Sequence, residues 1–180
     1  MPDPLVTTDR ILLLSLTAED EPEFLASVAA SRELHHPWID AADTPARFAQ
    51  LLERATQPEF EPFVVRGRED GALSGAINIS NIIRGPFQSA FVGYWAFAGR
   101  EGRGHLSHGL RAVVRHAFTT LGLHRLEANI QPANTGSIAL AERCGFRFEG
   151  FSPSYLQVFG AWRDHNRYAI TQEAWEAPRS

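Results

Sequence analysis

Hydrophobic and polar positions change their period several times along the chain, and each change marks an element. Residues 10–16, RILLLSL, form a continuous apolar run with the length of a strand buried on both faces. From Thr17 the spacing switches. Phe24, Leu25 and Val28 recur at helical intervals behind Glu19, Asp20 and Glu21, and Thr17 is placed to cap that helix. RELHHPWID reads as a loop. A second helix opens at Thr44-Pro45, with proline at its first position and Phe48, Leu51 and Leu52 as its apolar stripe. Three strands follow, over residues 62–68, 72–82 and 90–97. Asp70-Gly71 is a hairpin signal between the first two, and Arg84-Gly85-Pro86 a looser turn before the third. A helix starts after Gly104 and stops at Gly122. Residues 125–130 read as a strand and residues 134–143 as a short helix ended by Gly145. Strands run from Phe146 onward, with a turn near Gly160 and a last strand over residues 168–171.

The order β-α-α-β-β-β-α-β-α-β-β predicts a single α/β domain over residues 1–180, with a mixed, mostly antiparallel sheet flanked by helices. No internal repeat, linker or low-complexity segment interrupts it. The 180 residues are 44 % hydrophobic, enough for one full core. The net charge of −4 gives no global basic field for direct nucleic-acid binding. A single cysteine, Cys144, rules out an internal disulfide and fits a reducing cytoplasm. The opening MPDPLVTTDR has no apolar segment of signal-peptide type, and no apolar run approaches membrane-spanning length. A cytoplasmic protein without membrane attachment is expected.

The chemistry concentrates at GYWAFAGREGRGHLSHGLRAVVRHAF, where a strand feeds three glycines and then a helix. A helix N-terminus carries unpaired N–H groups and the positive end of the dipole. Glycines just before it let an anion approach the backbone, and Arg100 and Arg103 add positive charge; a pyrophosphate suits such a turn. The spacing is neither GxxxxGK[ST] nor GxGxxG, so nucleotide triphosphate hydrolysis and dinucleotide binding are not expected.

GxG opening a helix after a strand resembles the acyl-CoA pyrophosphate loop of the GNAT acetyltransferases. HRLEANIQPANTGSIALAERCGF, residues 124–146, is similar to that family's strand, Asn-containing loop, short helix and Gly-Phe close. NIIRGPFQSAFVGYW, the late GAWRDH, the opening TTDRILL and the HPW at residues 36–38 resemble the RimJ/RimL branch of protein N-terminal acetyltransferases, RimJ most of all. The resemblance spans nearly the whole chain. It implies a strand, Trp95, Ala96 and Phe97, that splays from its neighbour and bonds the pantetheine arm of acetyl-CoA. It implies a pyrophosphate loop through Arg100, Gly102, Arg103, Gly104, His105 and Leu106. Asn134 would contact the cofactor arm, and Ser137 would face its sulfur as the catalytic residue. The implied acceptor is a protein N-terminus, with a ribosomal protein as first candidate; the chain would be a monomer or a homodimer. There are departures. The place where the family often has Gln or Arg is Gly99, with Arg100 beside it. A Tyr that many members place before the Gly-Phe close is Ala141 here. A base-like Glu of some relatives falls at Leu156.

The reaction needs a neutral amine. An α-amino group, pKa about 7.7–8.0, is partly neutral at pH 7, whereas a lysine amine, about 10.4, is almost wholly charged. A chain without a strong base therefore favours α-amino acceptors. Small amines such as an antibiotic or a polyamine are the alternative acceptors, and acyl-CoA binding without catalysis is a third reading. His105 and His108 share a helix face, but no third metal ligand is evident and no metal is expected. His35-His36-Pro37-Trp38 reads either as a loop at the acceptor mouth or as packing. Tyr155 and Trp162 either line a peptide groove or pack. Asp164 and His165, adjacent in a strand, face opposite sides and read as structural. Cys144 reads as an inert small hydrophobe, and Glu142 and Arg143 as a solvated helix face.

Overall fold

The computed structural model describes residues 3–177. The ends of the predicted 1–180 domain, and the first two residues of MPDPLVTTDR, lie outside them. Strands β1 (Val6–Thr7), β2 (Ile11–Ser15), β3 (Phe60–Gly67), β4 (Leu73–Ile83), β5 (Ser89–Ala96), β6 (Arg125–Ile130), β7 (Arg147–Val158) and β8 (Ala161–Thr171) build one sheet. Its order is β1-β2-β3-β4-β5-β6-β8-β7. Every neighbouring pair is antiparallel except β5–β6. The helices are α1 (Glu21–Ala30), α2 (Arg32–His35), α3 (Pro45–Arg54), α4 (His105–Thr119), α5 (Thr135–Arg143) and α6 (Gln172–Glu176). The single-domain, mixed-sheet α/β expectation matches this architecture.

The continuous apolar runs are explained by burial on both faces of the sheet. Ile11, Leu13, Phe63, Val65 and Ile77 point to one side, where Leu110, Val113 and Val114 of α4 cover them. Their sequence neighbours Leu14, Val64 and Ala76 point to the other, against Phe24 and Val28 of α1 and Phe48 of α3. Period-two alternation thus feeds two cores from the same strands. Gly109 lets α4 lie close to the sheet: a Cβ there would sit 2.6 Å from Val65 Cγ2. Across the other layer Arg66 of β3 holds α1 through Asp20 (2.7 Å) and Glu23 (2.6 Å).

Several elements differ from the sequence expectation. Thr17 caps a 3-10 turn, Ala18–Asp20, and α1 starts only at Glu21. The RELH half of the predicted loop is the single turn α2. The last strand begins at Ala161, not at Tyr168, because the charged stretch WRDHN pairs with β7 along its length. Two short elements, β1 and α6, lie in segments without a clear period; Thr171 caps α6 by accepting from the Ala174 amide. Among the described residues no helix is long and apolar enough to cross a membrane.

Candidate active site

The parallel pair creates the site. β5 and β6 pair only at Ser89–Arg125, Ala90–Leu126 and Phe91–Glu127. Beyond Phe91, β5 runs on to Ala96 beside β4 while β6 runs on to Ile130 beside β8. The two strands separate, leaving the β6-facing edge of β5 without a strand partner from Val92 to Ala96. This is the splay expected before the glycine loop.

The end of β5 is fixed from several directions. The Phe97 amide donates to the Ser74 carbonyl (3.1 Å). The Ala98 amide donates to the Ser31 hydroxyl (2.9 Å). His35 Nε2 lies 2.8 Å from the Ala96 carbonyl. A carbonyl only accepts, so Nε2 carries the proton in this bond. Burial lowers the His35 pKa, and the bond to Ala96 opposes that only in part. The Ala96 carbonyl is therefore already engaged by His35.

The glycine turn leads directly into α4. Gly104 is the N-cap, with φ +77°, left-handed backbone that favours glycine. The first amides of α4 have no intrahelical acceptor. Three arginines gather around them. Arg10 Nη1 donates to the Arg103 carbonyl (3.4 Å), bringing a guanidinium from the start of the sheet to the loop. Arg100 reaches back to Asp70 with two bonds of 2.7 and 2.8 Å and donates through Nε to Ser74 Oγ (3.2 Å). This pairing holds the Asp70 carboxyl well below the usual carboxylate range. The charge of Arg100 is thus spent on bracing the loop against the β3–β4 hairpin, not left free for a phosphate. His105, at the first position of α4, contacts Ser74 Oγ through Nδ1 (2.9 Å). Its pKa is lowered by burial first and then by Arg100, Arg103 and Arg10, outweighing the opposing effect of Asp70.

A cavity of about 380 Å³ lies against this loop. Trp95, Ala96, Arg100, Gly102, Gly104, His105, Leu106, Asn134 and Ser137 all line it, from two stretches of chain that the splay brings together. Phe97 and Arg103 do not. The Phe97 ring is turned away into the second core, edge-on to Phe24 at 5.6 Å. The Arg103 side chain is exposed. Arg143, expected on a solvated face, is at the rim of this cavity.

A second cavity of about 220 Å³ shares Trp38, Ile39, Tyr94, Trp95, Asn134 and Ser137 with the first. Its other walls come from Asn78 and Val92–Gly93, from β6 and from Leu156, Val158 and His165 of the β7–β8 hairpin. The two cavities therefore meet at the seam between β5 and β6. Ser137 stands at that junction. It does not cap α5: the Asn134 side chain does, accepting from the Ser137 amide (3.2 Å). The hydroxyl of buried Tyr94 donates to the Ser137 carbonyl (2.8 Å) and anchors the first turn of α5. Burial pushes the Tyr94 phenol up, with Cys144 and Tyr168 adding to it, so it stays a donor. Ala141 is in the core.

The remaining candidates separate. His105 contacts Ser74 and His108 faces Asp9 at 3.8 Å, so the two imidazoles have different partners. Among the described residues no three His, Cys, Asp or Glu side chains are grouped to hold a metal. Asp164 accepts from the Ser154 amide (2.8 Å) on the outside of the hairpin, while His165 is buried. Trp162 is 64 % exposed and lines neither cavity. Tyr155 lies against the His165 ring at 6.2 Å. The Cys144 thiol is buried and donates to the Ser107 carbonyl (3.7 Å). Sequence reasoning missed Arg10, Asp70 and Ser74, because nothing local ties them to a loop some 30 to 90 positions away.

A strand that splays from its parallel neighbour and ends on a glycine-capped helix matches a known pattern, the acetyltransferase (GNAT) domain, whose family model covers residues 10–147. The chain belongs to the GNAT acetyltransferases. It is 36 % identical to the "Probable N-acetyltransferase YjcK" of Bacillus subtilis, over 93 % of this chain and 91 % of that protein. It is 29 % identical to the [ribosomal protein uS5]-alanine N-acetyltransferase of Escherichia coli, over 99 % and 96 %. Among solved structures, Mycobacterium smegmatis RimJ in complex with CoA-disulfide superposes with a TM-score of 0.83 at 33 % identity, covering 94 % of this chain and 85 % of that one. The protein is an N-acetyltransferase of GNAT type. The uncapped amides at the start of α4 and the unpaired edge of β5 are groups that suit the chemistry of an acyl-CoA.

Proposed function

We propose that this GNAT enzyme transfers acetyl from acetyl-CoA to the α-amino group of a protein N-terminus, with a ribosomal protein as first candidate. One observation carries the choice of acceptor. Among the described residues no carboxylate lines the cavity on the β6–β8 side of the seam; its polar side chains are amides, hydroxyls, indoles and one imidazole. A polyamine brings several positive charges, and burying them without anionic partners is costly. A chain terminus brings one amine, partly neutral near pH 7. The RimJ and uS5-alanine relatives support the same reading.

In this reading the loop amides and Arg10 hold pyrophosphate, and the edge of β5 holds the pantetheine arm. A backbone N–H on that edge stabilises the oxyanion in a partly dry seam. Ser137 donates to the departing sulfur. Ser137→Ala should then lower kcat on the order of tenfold, about 1.4 kcal/mol, with a smaller change in the KM for acetyl-CoA. An unchanged kcat in steady-state assays would leave Ser137 no catalytic part.

The acceptor is tested with paired peptides. One has a free Ala or Ser N-terminus and no lysine; the other is N-terminally blocked with an internal lysine. The free N-terminus should be acetylated faster, as read by mass spectrometry. Equal or greater turnover of the blocked peptide would sink the α-amino assignment. Turnover of spermidine alone would replace it with the small-amine reading.

A further inference from the structure

We propose that His165 is the proton acceptor for the attacking amine, an inference that rests on the acetyl-transfer reading above. His165 lies on β8, 3 % exposed, in the wall of the second cavity. Its Nδ1 is 2.9 Å from the Arg163 carbonyl. That oxygen can only accept, so Nδ1 holds the proton of the neutral ring and Nε2 keeps the basic lone pair. Among the described residues lining this cavity there is no carboxylate, lysine or cysteine, and His165 is the one imidazole. Imidazole is the side chain suited to exchanging protons near neutral pH. The other titratable groups around it are the Tyr155 phenol from β7, the Tyr94 phenol from β5, and Arg163 and Arg167 on its own strand. Asn129 of β6 and Asn134 and Ser137 at α5 add only neutral groups. Neutral phenols and fixed cations leave no competing base.

The proton count closes. The amine nitrogen bonds the acetyl carbon and the carbon–sulfur bond breaks. The nitrogen gives up one proton, which His165 Nε2 takes and returns to solvent. The leaving sulfur takes up one proton, so amine and thioester become amide and thiol.

The test compares wild type with His165→Asn, whose amide can still donate to the Arg163 carbonyl but cannot act as a base. Both are assayed with an Ala-first peptide and with spermidine at saturating acetyl-CoA from pH 6 to 9. The variant should lose on the order of 100-fold in kcat near pH 7. Its KM for acetyl-CoA, measured separately with that substrate varied, should stay within about twofold, and the deficit should hold on the plateau at higher pH, because a neutral amine must still give up a proton as the amide forms. A variant that keeps kcat and its acidic limb overturns the proposal. If only spermidine is turned over, the N-terminus reading fails while His165 is still judged on spermidine. Turnover of neither removes both. Two measurements need no variant activity. The acidic limb of wild-type kcat should persist with an acceptor amine that is neutral throughout the range; its disappearance overturns the assignment. In NMR of the protein with labelled histidine, adding the Ala-first peptide with CoA should shift the His165 Nε2 resonance, assigned by its loss in His165→Asn. No shift at saturating peptide also overturns it.

Discussion

Gly104→Val should weaken acetyl-CoA binding on the order of 100-fold, about 2.7 kcal/mol. Gly104 caps α4 with φ +77°. A β-branched residue resists that backbone, at roughly 1–2 kcal/mol or more. The same side chain would stand where an anion must approach the first amides of α4. Two effects are thus expected from one change, a lower melting temperature and a lower affinity. Gly85→Ala separates them. Gly85 has φ +69° in open space at a distant turn, so it shares the strain without the ligand. Calorimetric titration should show normal affinity in Gly85→Ala and a large loss in Gly104→Val. Equal affinity in both, with both folded, would take the glycine loop out of the cofactor site.

Phe97→Ala should cost about 3–5 kcal/mol of stability, measured by urea unfolding. The ring is 2 % exposed, packs on the rings of Phe24 and His35, and belongs to the same core as Phe48. It ties the end of β5 to α1 and α2. Acetyl-CoA binding should weaken as well, because the strand that presents the open edge would lose its anchor. If stability were unchanged and only affinity fell, Phe97 would be a direct cofactor contact and the packing account would be wrong. The structure favours packing: the side chain points away from the cavity that Trp95 and Ala96 line.

The different fates of neighbouring residues show what was legible in the chain. Strands with apolar runs, and helices with a proline or glycine boundary, follow from local rules. Residues 125–130 were expected as a strand and form β6 without change. The first half of β8 was hidden because WRDHN is polar; its pairing with β7 makes it a strand. α2 and α6 are too short to show a period. At the site, the glycines could be placed because a turn into a helix has a local signature. The direction of a side chain is not local. Arg100 looked like a free cation, and Asp70, on a separate hairpin, claims it. Asp164-His165 was rightly expected to face two ways. Which of the two faces inward depends on the pairing of β8, and that pairing places the imidazole at the cavity.

The seam between β5 and β6 has one more consequence, for how such a protein can change over generations. One cavity is walled by the glycine loop and the start of α4, the other by the β7–β8 hairpin and the end of β6, and they share Tyr94, Trp95, Asn134 and Ser137 at the seam and Trp38 and Ile39 beside it. Substitutions at Leu156, Val158 or Asn78 reshape the second without touching the first. With acetyl-CoA in the first cavity and the acceptor in the second, as proposed above, a lineage can drift toward a new acceptor while its donor site stays under unaltered constraint. The six residues that belong to both walls are the positions where such drift is least free.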